Sequence, residues 1–218
     1  SGFEFTPTSE LSFNIEGYYK LMQNISVLNE KKFFPYDNDL ITGKGEAYGL
    51  EFLSRYMKWP LNFSASYSLA YAFKDVDGVR YAPRYDARHT VNLSFEYDFG
   101  SGWSASAVWT YTSGMPFTQM AGYYERLTID ELDPGELFLN SYNPFILLSE
   151  RNLGRLPDYH RLDLSLSKKF QINNLKLSFD LSALNVYNRK NLFYFRRDTG
   201  ERVDMLPFFP TATVKVEL

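Results

Sequence analysis

The residues best equipped for chemistry in this 218-residue chain are its two histidines, His89 and His160. An imidazole beside a serine can run acyl transfer, but no nucleophile motif accompanies either one. Both sit in Arg- and Asp-rich surroundings: Arg84, Asp86 and Arg88 for the first, Arg155, Asp158 and Arg161 for the second. That setting points to a hydrogen-bond network at a strand end, and no catalytic residue is assigned. Two isolated histidines do not make a metal site. The absence of cysteine removes thiolate ligands and disulfides. Asp130, Glu131, Asp133 and Glu136 lack the regular ligand spacing of a calcium loop and read as a solvated face. No metal and no cofactor is expected. The remaining binding candidates are Tyr123, Tyr124, Phe138, Tyr142 and Phe145, gathered in one long connection. They can stack on a sugar or an aromatic metal chelate, or equally form a cluster that folds the connection over its neighbours.

The elements that must position these groups are strands. From Arg88 to Thr112 the chain reads as one hairpin. Val91, Leu93, Phe95, Tyr97 and Phe99 share one parity, and Asn92, Ser94, Glu96 and Asp98 share the other. A strand has a side-chain period of two, so one face is apolar and the other polar. Gly100-Ser101-Gly102 supplies the positive-φ residues of a tight turn. The second arm alternates too, with Trp103, Ala105, Ala107, Trp109 and Tyr111 opposing Ser104, Ser106, Val108, Thr110 and Thr112. Each arm has roughly the 9–11 residues a tilted strand needs to cross a bilayer.

The same alternation recurs along the chain. Leu11 to Leu21 (extending towards Leu28), Lys44 to Tyr56, Leu61 to Tyr71, Arg161 to Ser167, Leu175 to Ala183 and Thr211 to Leu218 all show it, and Phe3 to Thr6 reads as the tail of a further strand. Connections alternate in length. Those at Pro7 to Glu10, Lys58 to Pro60, Gly100 to Gly102 and Asn173-Asn174 are short. Those at Asn29 to Gly43, Phe73 to Ala87, Ser113 to Asp158 and Tyr187 to Leu206 are long. Bacterial membrane barrels have short periplasmic turns and long extracellular loops. The expected fold is therefore all-β: an antiparallel up-and-down transmembrane β-barrel. About nine strands are expected, an odd number, where single-chain bacterial barrels have an even one. The chain is accordingly expected to be a single domain, 1–218, forming the C-terminal part of a larger barrel.

On the polar parity lie Glu51, Arg55, Glu96, Asp98, Arg161, Asp163 and Asp180. In a barrel these are lumen-facing. They can contact a plug, a solute or water, though cross-strand charge pairing is the favoured reading for any single one. Composition agrees with a barrel. Aromatics make up 18% of the chain, as aromatic girdles require. A net charge of −3 argues against nucleic acid as a partner. No apolar run is long enough for a transmembrane helix, and the first residues do not read as a signal peptide.

Several stretches resemble the C-terminal half of TonB-dependent outer-membrane receptors. They are Gly43-Lys-Gly-Glu-Ala-Tyr-Gly-Leu-Glu51, Pro83-Arg-Tyr-Asp-Ala-Arg-His89, Thr112-Ser-Gly-Met-Pro-Phe117, Arg155-Leu-Pro-Asp-Tyr-His-Arg-Leu-Asp-Leu-Ser165 and Leu184-Asn-Val-Tyr-Asn-Arg-Lys-Asn191. The resemblance implies a 22-stranded barrel with a plug in its lumen. It also implies energised uptake of a bulky solute (siderophore, vitamin or oligosaccharide) across the outer membrane of a Gram-negative-type bacterium. The partners it implies are outer-membrane lipid, the N-terminal barrel and plug portion or other outer-membrane chains, and the TonB system acting through that N-terminal portion. The plug is expected to lie outside this chain. One departure is the ending Val214-Lys-Val-Glu-Leu218, where the family usually carries a terminal Phe or Trp. Two other readings stand beside this one: a non-energised structural or binding barrel in a larger assembly, and a small complete outer-membrane barrel.

Overall fold

The computed structural model describes residues 1–29, 32, 34–124, 145–173, 175–196 and 199–217. Among them are sixteen strands and no helix. In chain order these are β1 (Gly2–Thr8), β2 (Leu11–Leu28), β3 (Leu40–Lys58), β4 (Leu61–Val76), β5 (Val79–Tyr81), β6 (His89–Gly100), β7 (Trp103–Thr112) and β8 (Pro116–Phe117). Then follow β9 (Met120–Tyr124), β10 (Phe145–Leu148), β11 (Gly154–Arg155), β12 (Tyr159–Ile172), β13 (Leu175–Leu184), β14 (Leu192–Phe195), β15 (Arg202–Asp204) and β16 (Phe209–Glu217). Nine strands form one antiparallel path, β1-β2-β3-β4-β6-β7-β12-β13-β16, and β5 doubles back on β4. The other six pair as β9 with β10, β8 with β11 and β14 with β15.

Register turns the alternation of each strand into two continuous faces. Residues paired directly across an antiparallel ladder share a face. Asn62, Glu96, Ser106, Ser165, Ser182 and Thr211 form one such row across six strands. One residue further along, Phe63, Phe95, Ala107, Leu164, Ala183 and Pro210 form a row on the opposite face. A slip of one residue in any strand would put its apolar set among serines, so every ladder is pinned by its neighbours.

No second layer among the described residues packs on the apolar face. Among the described residues the buried apolar side chains are Val27, Val76 and Leu192, with the prolines Pro83 and Pro116. Leu164 stays 41% exposed, Leu181 57% and Val214 58%. At roughly 25 cal/mol per Å² of apolar surface, water is the wrong solvent for such a face. Lipid is the right one, because strands there satisfy their backbone groups in the ladder and need no apolar core. These buried apolar groups lie at the long-connection ends of the strands or in the connections. Val27 and Val76 meet beside Gly43 at the far ends of β2 and β4, and Leu192 opens β14. Exposed aromatics mark the two ends of the sheet, with Trp59, Phe99 and Trp103 at the short turns and Tyr187 beyond the opposite end. Interfacial rings take those positions.

The turns follow from their residues. Ser101 and Gly102 have φ of +51° and +78° between β6 and β7. A Cβ at Gly102 would also lie 2.1 Å from Lys169 O, so glycine is required twice over. Asp77 and Gly78, with φ of +53° and +76°, reverse β4 into β5.

The long connections are more ordered than their sequence suggests. β3 begins at Leu40 rather than Lys44, and β4 runs on to Val76 rather than ending at Tyr71. The connection expected over 73–87 is largely the β4–β5 hairpin, and those over 113–158 and 187–206 hold β8 to β11, β14 and β15. Outside lipid a hairpin needs no apolar face, so these strands carry no period-two signal. Among the described residues β1 pairs only with β2 and β16 only with β13. With nine antiparallel strands on the path, these two edge strands run in the same direction.

The two faces predict opposite responses to one change. In the intact barrel, Leu164→Arg should cost about 2–4 kcal/mol if the site is near the bilayer midplane. Ser165→Arg, on the polar face, should cost less than about 1 kcal/mol. Denaturant unfolding in lipid vesicles measures both.

Candidate functional site

Two groupings of polar side chains among the described residues bear on a site, a collar at the long-connection end of the sheet and the polar face below it. The collar begins at Asp86, whose side chain is 2% exposed. Its Oδ1 accepts the Ala72 N–H at 2.9 Å, and its Oδ2 pairs with Arg155 Nη2. Arg155 Nη1 also donates to the carbonyls of Asp86 (3.1 Å) and Gly114 (2.9 Å). Arg88 stands behind, with Nε 3.7 Å from the same Asp86 oxygen. Gly114 has to be glycine here, since a Cβ would lie 1.6 Å from Leu156 O. Its N–H donates to Asp158 Oδ1 at 3.0 Å, and Tyr111 Oη donates to Asp158 Oδ2 at 2.8 Å.

From Asp158 the collar continues to the next connection. Arg189 Nη2 donates to Asp158 O (3.2 Å) and its Nε to Asn191 Oδ1 (3.2 Å). Asn191 pairs with the His160 backbone both ways, accepting from N–H at 3.2 Å and donating to O at 2.9 Å. Asn185, fully buried, donates to the carbonyls of Arg189 and Leu206, while its own N–H reaches Asp163 Oδ1 at 2.9 Å. Asn185 and Asn188 both have φ of +53°, a conformation asparagine tolerates better than most residues. One hydrogen-bonded series thus ties the ends of β4, β7, β12 and β13 together. It is made almost wholly of the four family-like stretches after residue 82.

The two histidines belong to this structural system. His89 Nδ1 lies 2.9 Å from Tyr67 Oη and its N–H donates to Ser113 Oγ at 3.0 Å. His160 Nδ1 lies 2.7 Å from Tyr187 Oη. Neither faces a nucleophile in these contacts, and no group of three metal-ligating side chains occurs among the described residues.

On the polar face, register places Glu51, Arg55, Glu96, Asp98, Arg161, Asp163 and Asp180 together on one side of the sheet. Glu51 lies directly opposite Glu16. Glu96 Oε2 accepts from Asn62 Nδ2 at 3.4 Å, Asp98 Oδ1 from the Gly100 N–H at 2.8 Å, and Asp180 Oδ1 from Ser167 Oγ at 2.6 Å. Charge pairs on this face run along a strand, Arg161 with Asp163 at 2.9 Å and Lys215 with Glu217, rather than across strands. Same-face residues two apart on a strand are within reach of a long cation, and most cross-strand positions here hold Ser or Thr. Of the aromatic candidates, Tyr123 and Tyr124 lie in β9 and Phe145 in β10, with Tyr124 opposite Phe145. Phe138 and Tyr142 lie outside the described residues.

The profile of the family described as TonB dependent receptor-like, beta-barrel matches residues 2–188. The chain belongs to this family. Its fold is similar to that of the ferric-catecholate import receptor Fiu of Escherichia coli K12, with a TM-score of 0.60 and 15% identity over 97% of this chain and 26% of that one. It is likewise similar to the copper transporter OprC (TM-score 0.61, 13% identity, 99% of this chain and 30% of that one). A third likeness is to the Escherichia coli outer-membrane transporter YddB (TM-score 0.51, 13% identity, 99% and 31%). The chain spans about a quarter to a third of the length of these proteins. No curated protein matches it closely enough to count as a sequence relative. The family and these neighbours are receptors and transporters, not enzymes, and the family is one of Gram-negative outer-membrane barrels.

Two measurements probe the collar. Asp86→Ala leaves the Arg155 guanidinium and the Ala72 N–H without their carboxylate, and should destabilise the barrel by about 2–4 kcal/mol. Loss of hydrogen-exchange protection at Ala72 would localise the effect. Asp158 is held below the usual carboxylate range, first by the Tyr111 hydroxyl and then by the Gly114 N–H. A depressed folded pKa contributes stability that is present above the unfolded value of about 3.9 and lost as pH falls through the folded one. Acid titration of unfolding should show this loss, and Asp158→Asn should flatten it.

Proposed function

We propose that this chain is the wall of an outer-membrane import receptor that takes up a bulky solute (siderophore, vitamin or oligosaccharide) with energy relayed by TonB. The observation that carries this reading is the two-faced sheet. One face is apolar and unpacked among the described residues, and the other presents serines, threonines and charged groups along most of its rows, with Val108 and Leu53 among the exceptions, as a water-filled or plug-filled lumen needs. Glu51, Arg55, Glu96, Asp98, Arg161, Asp163 and Asp180 are the lumen-facing groups that meet plug, solute or water. Tyr123, Tyr124, Phe138, Tyr142 and Phe145, the aromatics of the β7–β12 connection, are the groups assigned to stacking on the solute.

The edges of the sheet support the partners. A spanning sheet cannot leave backbone N–H and C=O groups bare in lipid. β1 and β16 run in the same direction, so joining them to each other would make a parallel pair in an otherwise antiparallel wall. Antiparallel closure instead takes an odd number of further strands, from an N-terminal barrel portion or another outer-membrane chain. A plug in the lumen and TonB beneath it complete the assembly.

Uptake by cells carrying the gene separates energised import from passive binding. Deleting the gene should remove growth on one of three limiting supplies: ferric siderophore, cobalamin or a long oligosaccharide. Inactivating TonB should remove the same growth. Growth that depends on the gene and is indifferent to TonB would leave a non-energised barrel in its place.

A further inference from the structure

The polar face is zoned along β2, β3 and β4. Register sets four successive rows across these strands: Glu16–Glu51–Ser68, Tyr18–Gly49–Ala70, Lys20–Ala47–Ala72 and Met22–Gly45–Lys74. Rows on one face are about 7 Å apart along a strand. The acidic groups therefore lie deeper in the sheet, and the two lysines lie towards its long-connection end. Neither lysine has an ion pair among the described residues.

Each lysine is instead set over a tyrosine ring. Lys20 Nζ lies 5.1 Å from the centre of the Tyr18 ring, and Lys74 Nζ lies 5.7 Å from that of Tyr85. Tyr18 itself leans across Gly49, where a Cβ would lie 2.8 Å from its Oη and 3.0 Å from its Cε1. A ring attracts an ammonium group without cancelling its charge. The two cations are thus held on strands about 10 Å apart, with their charge still available.

Between them is a recess of about 390 Å³. Ala47, Ala70 and Ala72 form its floor, with Tyr18 and Lys20 on the β2 side and Tyr85 on the other. That volume is within the range of small-molecule sites. Asp86 also lines it, but its carboxylate is taken up by Ala72 and Arg155. Glu16 and Glu51 close the deep end, two rows or about 14 Å below Lys20, beyond a Debye length of about 8 Å.

This lining selects by chemistry. Alanine methyls offer no partner for the hydroxyls of a sugar, which would lose water here without replacement. A flat apolar ring fits such a floor, and the lysines at the rim complement negative charge on the edge of that ring.

We infer that this recess is a subsite for an anionic aromatic metal chelate. Lys20 and Lys74 meet its charged oxygens, and the alanine floor meets its ring face. The inference rests on the lumen reading given above and narrows the solute to the chelate class.

The test uses the full-length receptor in native outer membranes, with folding checked by heat-modified gel mobility. Ala47→Cys places a thiol beside Lys20, one row from Lys74. It is treated with an anionic sulfonatoethyl and a cationic trimethylammonioethyl methanethiosulfonate, each rate being divided by that of a small thiol in solution. The anionic reagent should lead by about tenfold, and Lys20→Gln with Lys74→Gln should remove the lead. Asn92→Cys, elsewhere on the same face, reports the lumen reading separately. If Asn92→Cys reacts while Ala47→Cys is inert or shows no lysine-dependent preference, the subsite is overturned and the lumen stands. If neither thiol reacts, the lumen reading falls and takes the subsite with it. A second arm reads the ligand class. The trianionic ferric complex of a tripodal tris-catecholate should protect Ala47→Cys from a neutral maleimide, and the neutral ferric complex of a tripodal tris-hydroxamate should not. Protection by the neutral complex, or by neither, would overturn the assignment of an anionic chelate.

Discussion

Everything in this structure depends on one constraint: the apolar half of every long strand faces the same way, with no second layer among the described residues to cover it. The rows are held in place by the ladder, not by packing. Phe63, Phe95, Ala107 and Leu164 are neighbours because their backbones pair, and the serines and threonines beside them are turned away for the same reason. In a soluble sheet such a face would bury against a partner layer. Here the hydrocarbon of a bilayer takes that place, and the hydrophobic effect sets orientation without building a core.

Stability then has to come from elsewhere, and the collar shows where. The ladder satisfies the backbone within the sheet, but each long connection leaves it at a point where that pairing stops. At those points Asp86, Arg155, Asp158, Asn185, Arg189 and Asn191 take over, bonding mostly to backbone groups. The arrangement fixes the roots of these connections.

Much of this was legible in the sequence. The β6–β7 hairpin, the order of short and long connections and the two-sided rows all follow from period two and turn residues. The histidines' structural role could be read from the Arg- and Asp-rich stretches around them. What escaped notice was order without alternation. The β4–β5 hairpin, β9–β10 and β14–β15 sit in water and need no apolar stripe, so nothing in their pattern distinguishes them from loop. The collar partners were also hidden, because Asp86 and Arg155 lie 69 residues apart and only the register of β4, β6, β7 and β12 brings them together. Charges on the polar face pair along strands, which parity alone does not decide between.

The most direct measurement of the account is a cysteine scan of Thr90 to Thr112 in the full-length receptor, in native outer membranes. This chain contains no cysteine, so labelling above that of the unsubstituted full-length receptor reports the introduced position. A water-soluble, membrane-impermeant maleimide should label Asn92, Ser94, Glu96 and Ser106 far faster than Leu93, Phe95 and Ala107, giving a period of two along both arms. Equal labelling of the two parities, or protection of the polar one with labelling of the apolar one, would contradict a sheet with one face in lipid and the other in an aqueous lumen.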